Sequence, residues 1–154
     1  MSLAVHVSVE GGRIPLSRQR VGDIATAVLR AERVRDALLS ITFLSDRAIA
    51  ALNARHLGHR GATDVIAFGF APSGNGVHGV VGDIYIAPGV ARRHARAHRV
   101  PVREELARLV VHGTLHVLGY DHPAGDERTT SPMWRRQERG GGGARARAPG
   151  AAAR

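Results

Sequence analysis

The stretch HGTLHVLGYDH, residues 112–122, holds three of the nine histidines of the chain. Their spacing is H-x-x-x-H-x-x-G-x-x-H, and histidines four residues apart lie on one face of a helix. Gly119 is the residue type that ends a helix with a left-handed backbone angle, so the turned chain can bring His122 back towards His112 and His116. Three neutral imidazoles with a fourth position left for water are typical of a catalytic zinc site. The spacing therefore predicts one zinc ion bound by these three histidines.

A second histidine pair, His94 and His98, has the same spacing but different surroundings. Positive charge surrounds it and opposes a bound cation, so we interpret this pair as part of an exposed basic helix face. The motif at 112–122 is instead set among apolar side chains. The basic neighbours of the first pair are Arg92, Arg93, Arg96 and Arg99, and the apolar neighbours of the motif are Val110, Val111, Leu115, Val117 and Leu118.

The histidine spacing also matches the zinc-protease signature H-E-x-x-H-x-x-G-x-x-H at every ligand position. Those proteases carry a glutamate that takes a proton from the zinc-bound water, and this chain has Gly113 there. A metalloprotease is therefore only a minor alternative.

Three neutral ligands leave the zinc charge uncompensated, which favours an anionic substrate such as a phosphodiester. The metal can polarise a phosphoryl oxygen and lower the pKa of bound water to about 7.

Composition is consistent with a nucleic-acid substrate. The net charge is +9, the isoelectric point is near 11.6, and every basic residue other than histidine is arginine. A basic protein is attracted to polyphosphates by counterion release, although a solvated basic surface would give the same composition.

The chain has no cysteine, no signal peptide is recognisable, and no apolar run reaches membrane-span length. We expect a cytoplasmic protein with no membrane partner.

Hydrophobic periodicity and capping residues predict the order β-α-β-α-β-β-α-α, and hence an α+β domain with a small mixed four-stranded sheet packed with helices. The metal site then lies on the last of these helices and the following turn. Residues 1–139 are predicted to form a single domain, and the Gly/Ala/Arg tail 140–154 to be disordered. The predicted strands are 3–9, 37–44, 64–70 and 80–87, and the helices are 17–33, 45–58, 88–99, one from Pro101 through the histidine pair, and a short one at 133–138.

The motif HGTLHVLGYDH resembles the signature of the YbeY family of bacterial rRNA maturation factors, H-G-x-L-H-x-x-G-Y-D-H. The likeness extends to LNARHLGHRGATDVIAF at 52–68 and to GDIYIA at 82–87. It covers most of residues 38–138, and the eleven-residue motif is highly specific.

This resemblance implies a zinc-dependent, single-strand-specific endoribonuclease that acts in 3′-end maturation of small-subunit (16S) rRNA and in ribosome quality control. It implies His112, His116 and His122 as the metal ligands, and rRNA and the small ribosomal subunit as partners, with no DNA specificity expected. The family fold, a small mixed sheet with helices, agrees with the one predicted from periodicity.

One departure from the family pattern concerns Leu57, since many members carry an arginine implicated in activity at this position. Arg55 and Arg60 flank it and could offer a guanidinium to phosphate. His59 is a candidate for proton transfer or phosphate contact. The candidate catalytic residues are thus Arg60 and His59, and the candidate RNA-binding residues are Arg55, Arg92 and Arg96.

Two alternatives stay open at this stage. Because Leu57 replaces the usual arginine, a non-catalytic ribosome assembly factor that binds rRNA and uses zinc only for its fold remains an alternative function. Asp64 could orient a ligand histidine or cap the turn before its strand.

Overall fold

The computed structural model describes residues 2–70 and 79–120 of the 154-residue chain. Within these ranges the elements follow the predicted order β-α-β-α-β-β-α-α, which confirms the predicted α+β fold class. The predictions for the helix at 133–138, for the tail and for His122 lie outside the described residues. The strands are β1 (Leu3–Val9), β2 (Ala37–Phe43), β3 (Val65–Phe70) and β4 (Val80–Ile86), and the helices are α1 (Arg18–Ala31), α2 (Asp46–Leu57), α3 (Pro88–His98) and α4 (Val102–Val117).

The four strands form one mixed sheet in the order β1-β2-β4-β3. β1, β2 and β4 are parallel, and β3 runs antiparallel to β4 at the edge. Ile41 of β2 lies opposite Ile84 of β4, which in turn lies opposite Ala67 of β3. Because side chains alternate along a strand, these three residues lie on one face of the sheet. The residues next to them in sequence lie on the other face.

Side-chain caps explain where the first two helices begin. The Ser17 hydroxyl accepts a hydrogen bond from the Arg20 N–H at 3.0 Å, and the Ser45 hydroxyl accepts one from the Ala48 N–H at 3.1 Å. Each bond satisfies a backbone donor that has no partner within its own helix. Gly58 then ends α2 in the left-handed region with φ 69°. The two serines are the first residues of the predicted helices 17–33 and 45–58, and the glycine is the last residue of the second.

The main hydrophobic core lies between one face of the sheet and the helices α1 and α4. A smaller apolar cluster lies on the opposite face, where α2 packs over β3 and β4. Helix α4 is buried along most of its length, so the residues it carries are held by packing from several sides. None of the helices in ranges 2–70 and 79–120 combines the length and apolar character needed to cross a membrane.

Candidate functional site

The two histidines of α4 lie side by side. His112 is 1% exposed and His116 is half-buried. Their ring centroids are 6.3 Å apart, and the ring planes are inclined by 23°. Two histidines four residues apart on one helix face are the ligand pair of many helical zinc sites. The pair therefore fits two of the three predicted zinc ligands.

The end of α4 is fixed by a Schellman turn and by a side-chain contact. The N–H of Tyr120 donates to the Leu115 carbonyl at 3.1 Å, and the N–H of Gly119, with φ 100°, donates to the His116 carbonyl at 2.9 Å. This is the bond pattern of a glycine-terminated helix, as Gly119 predicted. The Tyr120 hydroxyl donates to Glu32 Oε1 at 2.7 Å, which ties the turn to the end of α1. His122, two residues further, stays a prediction.

Glycines let α4 approach the sheet closely. A Cβ atom on Gly113 would lie 2.7 Å from Ile84 Cγ2, and one on Gly69 would lie 2.7 Å from the Val117 carbonyl oxygen. Neither contact leaves room for a side chain. A glutamate at position 113 would displace Ile84, so this position differs from the protease arrangement in its packing as well as in its residue type.

A buried polar cluster lies further towards the start of α4. Asp64 precedes β3, His94 belongs to α3 and Glu105 belongs to α4, and one ligand atom from each lies within 4.8 Å of the other two. Glu105 also accepts hydrogen bonds from Arg108, with Nε at 3.2 Å from Oε1 and Nη2 at 3.1 Å from Oε2. We call Asp64, His94 and Glu105 the buried triad.

The interpretation of His94 as part of an exposed basic face was wrong. Its side chain is only 34% exposed, and its Nδ1 lies 3.4 Å from Asp64 Oδ2. His98 is exposed, as predicted, with Nδ1 2.9 Å from the His94 carbonyl oxygen. One signal in the sequence concerns Glu105 alone: it lies on the same face of α4 as His112, seven residues earlier, and Arg108 is the only other charged residue between them.

The candidate catalytic residues lie at and beyond the end of α2. Arg55, His59 and Arg60 are exposed. The turn that carries His59 and Arg60 is held by the buried Asn53, whose Nδ2 donates to the Gly61 carbonyl at 3.1 Å. Leu57 is half-buried and packs in the apolar cluster under α2, so this position contributes packing here.

The basic residues of α3 have different surroundings. The half-buried Arg92 donates a hydrogen bond to the Arg13 carbonyl. Arg93 Nη2 lies 2.9 Å from Asp46 Oδ2 at the start of α2. Arg96 is exposed in the last turn. Of the two α3 arginines predicted to bind RNA, Arg92 is thus already engaged with the backbone.

An aromatic row lies on the sheet face beneath α2. His56 and Phe68 meet edge to face at 5.9 Å, and Phe68 and Tyr85 do so at 6.2 Å. Burial raises the pKa of Tyr85 above its ordinary value of 10.0, and the neighbouring Asp83 carboxylate raises it further. Tyr85 therefore stays a neutral hydrogen-bond donor at physiological pH.

Comparisons with known proteins identify relatives of this chain. The family model described as "Endoribonuclease YbeY" matches residues 8–140. The endoribonuclease YbeY of Syntrophus aciditrophicus is 30% identical over 90% of this chain and 88% of its own. That of Thermobifida fusca is 34% identical over 81% of this chain and 84% of its own. The solution structure of TM1509 from Thermotoga maritima has a TM-score of 0.62 and 25% identity, and covers 89% of this chain and 86% of its own.

These matches span nearly all of the described fold and the motif with His112 and His116. Two relatives are at least 30% identical over more than two thirds of this chain, and the family model covers more than half of it. The chain therefore belongs to the YbeY endoribonuclease family.

Proposed function

We propose that this protein is a zinc-dependent endoribonuclease that cuts single-stranded RNA. Its substrate would be small-subunit (16S) rRNA during 3′-end maturation and ribosome quality control, so that it acts in the cytoplasm on the assembling small subunit. The observation that carries the proposal is the pair of adjacent imidazoles on α4, followed by a glycine turn, in a member of a family named for endoribonuclease activity. His112, His116 and His122 would hold one zinc ion.

When bound, zinc supplies a Lewis acid for a phosphodiester. The chain contributes neutral ligands that leave the charge of the ion uncompensated, and packing of α4 that holds His112 in place. Arg55 and Arg60 are exposed guanidinium groups that would bind RNA phosphates, with Arg60 as the candidate that acts on the reacting phosphate. His59 would accept or donate a proton at an imidazole nitrogen. Arg92 and Arg96 would guide the RNA backbone along α3.

One observation favours a second function. Leu57, at the position where the family pattern given above has an arginine, packs into the apolar cluster under α2 and offers no polar group to RNA. A protein without that group could bind rRNA as an assembly factor, with zinc serving only its fold. Arg55 and Arg60 lie on either side of Leu57. If one of them supplies the guanidinium that Leu57 lacks, the nuclease function is favoured over the assembly factor.

Cleavage of labelled single-stranded RNA by the purified protein tests the proposal. We expect cleavage to stop on addition of a chelator and to return on addition of zinc. His116→Ala should reduce the rate more than the roughly 10–100-fold typical of losing a residue that merely supports a metal ligand. His98→Ala, which removes an exposed histidine of α3, is the matched control and should cleave normally.

The other outcomes are equally informative. Zinc-loaded protein that binds RNA without cutting it would support the assembly factor instead. Cleavage that persists in chelator, or in His116→Ala at the rate of the unmodified protein, would refute the metal-dependent nuclease.

A further inference from the structure

The buried triad joins three elements that are distant in sequence. Asp64 comes directly before β3, His94 lies on α3, and Glu105 lies on the first turn of α4. Asp64 and Glu105 are 1% and 4% exposed. We propose that these three residues form a second divalent-cation site, separate from the histidines of α4, which fastens α3 to β3 and α4.

The spacing of the donor atoms matches a metal site. His94 Nδ1 and Asp64 Oδ2 are 3.4 Å apart. In a tetrahedral zinc site with bonds of about 2.0–2.1 Å, neighbouring ligand atoms are about 3.3–3.4 Å apart. The Glu105 oxygen lies within 4.8 Å of both other atoms and would reach a third ligand position if its side chain moved together with that of Arg108.

The cluster would hold a cation among buried acidic groups. Two carboxylates are buried here, and Arg108, itself 3% exposed, forms an ion pair with one of them, Glu105. Buried carboxylates attract a cation more strongly than exposed ones do, because the protein interior screens charge less than water. That cation could be a proton on His94 or a metal ion.

Hydrogen-bond geometry favours the metal over the proton. A protonated His94 would donate from Nδ1 to Asp64, but this buried nitrogen makes no hydrogen bond within residues 2–70 and 79–120, although it faces Oδ2 at 3.4 Å. Two atoms that face each other without a shared proton are arranged as two ligands of one ion. The exposed third of the His94 side chain gives an ion access from solvent.

Arg108 is compatible with this role for Glu105. Its Nε and Nη2 each donate to a different Glu105 oxygen, and a carboxylate oxygen has a second lone pair for a cation. One imidazole nitrogen and two carboxylates suit zinc or a related divalent transition metal. The site would be structural, because all its ligands belong to packed elements.

Zinc stoichiometry of the full chain tests the site. The protein, His94→Gln, His98→Gln and His116→Ala would each be equilibrated with zinc, dialysed, and analysed for bound metal by mass spectrometry, with circular dichroism to verify folding. We expect His94→Gln to lose about one zinc ion per chain. His98→Gln, four residues along the same helix, should lose none.

A second readout does not depend on the stoichiometry of the unmodified protein. In His116→Ala, added zinc should still raise the melting temperature, and the added substitution His94→Gln should abolish that rise. Unchanged zinc binding in His94→Gln would overturn the proposal, with a proton on His94 then offsetting the charge. Equal losses in His94→Gln and His98→Gln would also overturn it, because a surface histidine pair would then be the binding site.

The two zinc proposals fail separately. If His116→Ala retains all of its zinc, the ligand set of the proposed nuclease is wrong and the triad is unaffected. If only His94→Gln retains all of its zinc, the triad is not a zinc site, and the ligand set of the proposed nuclease is unaffected.

Discussion

Gly113 stands where a zinc protease carries its catalytic glutamate, and its missing side chain lets α4 rest on Ile84. Gly113→Ala would place a Cβ atom 2.7 Å from Ile84 Cγ2, and overpacking of this kind costs about 1–3 kcal/mol. We expect the free energy of unfolding, measured by urea denaturation, to fall by less than that amount, because alanine in the interior of a helix gains back about 0.5–1 kcal/mol relative to glycine. Gly22→Ala is the control, because a Cβ on this residue of α1 meets nothing within 4 Å. It should be neutral or raise stability by about 0.5–1 kcal/mol. Equal losses in both variants would show that the Ile84 contact has no special cost.

Individual residues were predictable where the deciding contacts are local. The adjacency of His112 and His116 follows from their spacing, and Ser17, Ser45 and Gly119 act at helix ends as their types predict. His94 was misinterpreted because its charged neighbours in sequence lie on other faces of α3. Its structural neighbours, Asp64 and Glu105, belong to other elements, and nothing in the local sequence identifies them.

At the scale of the element, RNA binding by the basic helix α3 stays a prediction that its arginines can test. Replacing both Arg92 and Arg96 by glutamine should weaken RNA binding and flatten its salt dependence, by up to about 1.4 in the log–log slope for single strands. Most of the effect should come from Arg96, since Arg92 donates to the Arg13 carbonyl. Fluorescence anisotropy at several salt concentrations measures this, while the zinc content should not change.

A charge-matched control uses α1. Replacing the exposed Arg18 and Arg20 by glutamine removes the same charge from another helix and should change RNA binding less. If the two double variants bind RNA with the same affinity and salt dependence, α3 contributes to RNA binding only through the net charge of the protein.

Element identities were predictable and their arrangement was not. Alternating apolar residues and capping serines located the strands and helices to within a few residues. The order β1-β2-β4-β3 and the antiparallel edge strand β3 depend on how crossovers pack against the sheet. That packing involves contacts such as Val117 with Gly69, and no local pattern in the sequence specifies them.

At the scale of the whole molecule, the C-terminal tail should be separable from the fold. Residues 141–154 offer almost no apolar surface to bury, and sequences of this composition do not form a core. Truncation after Gly140 should therefore leave the melting temperature, followed by circular dichroism, nearly unchanged. A drop of many degrees would show that the tail packs on the domain.

The hydrogen bond from Tyr120 to Glu32 spans 88 positions of the chain. It connects the first helix to the turn that leads to His122, the third ligand in our proposal. A chain that has only begun to fold has not made this bond, because its two ends have yet to meet. If His122 is the third ligand, the proposed zinc site would then be completed only after the two ends of the chain have come together.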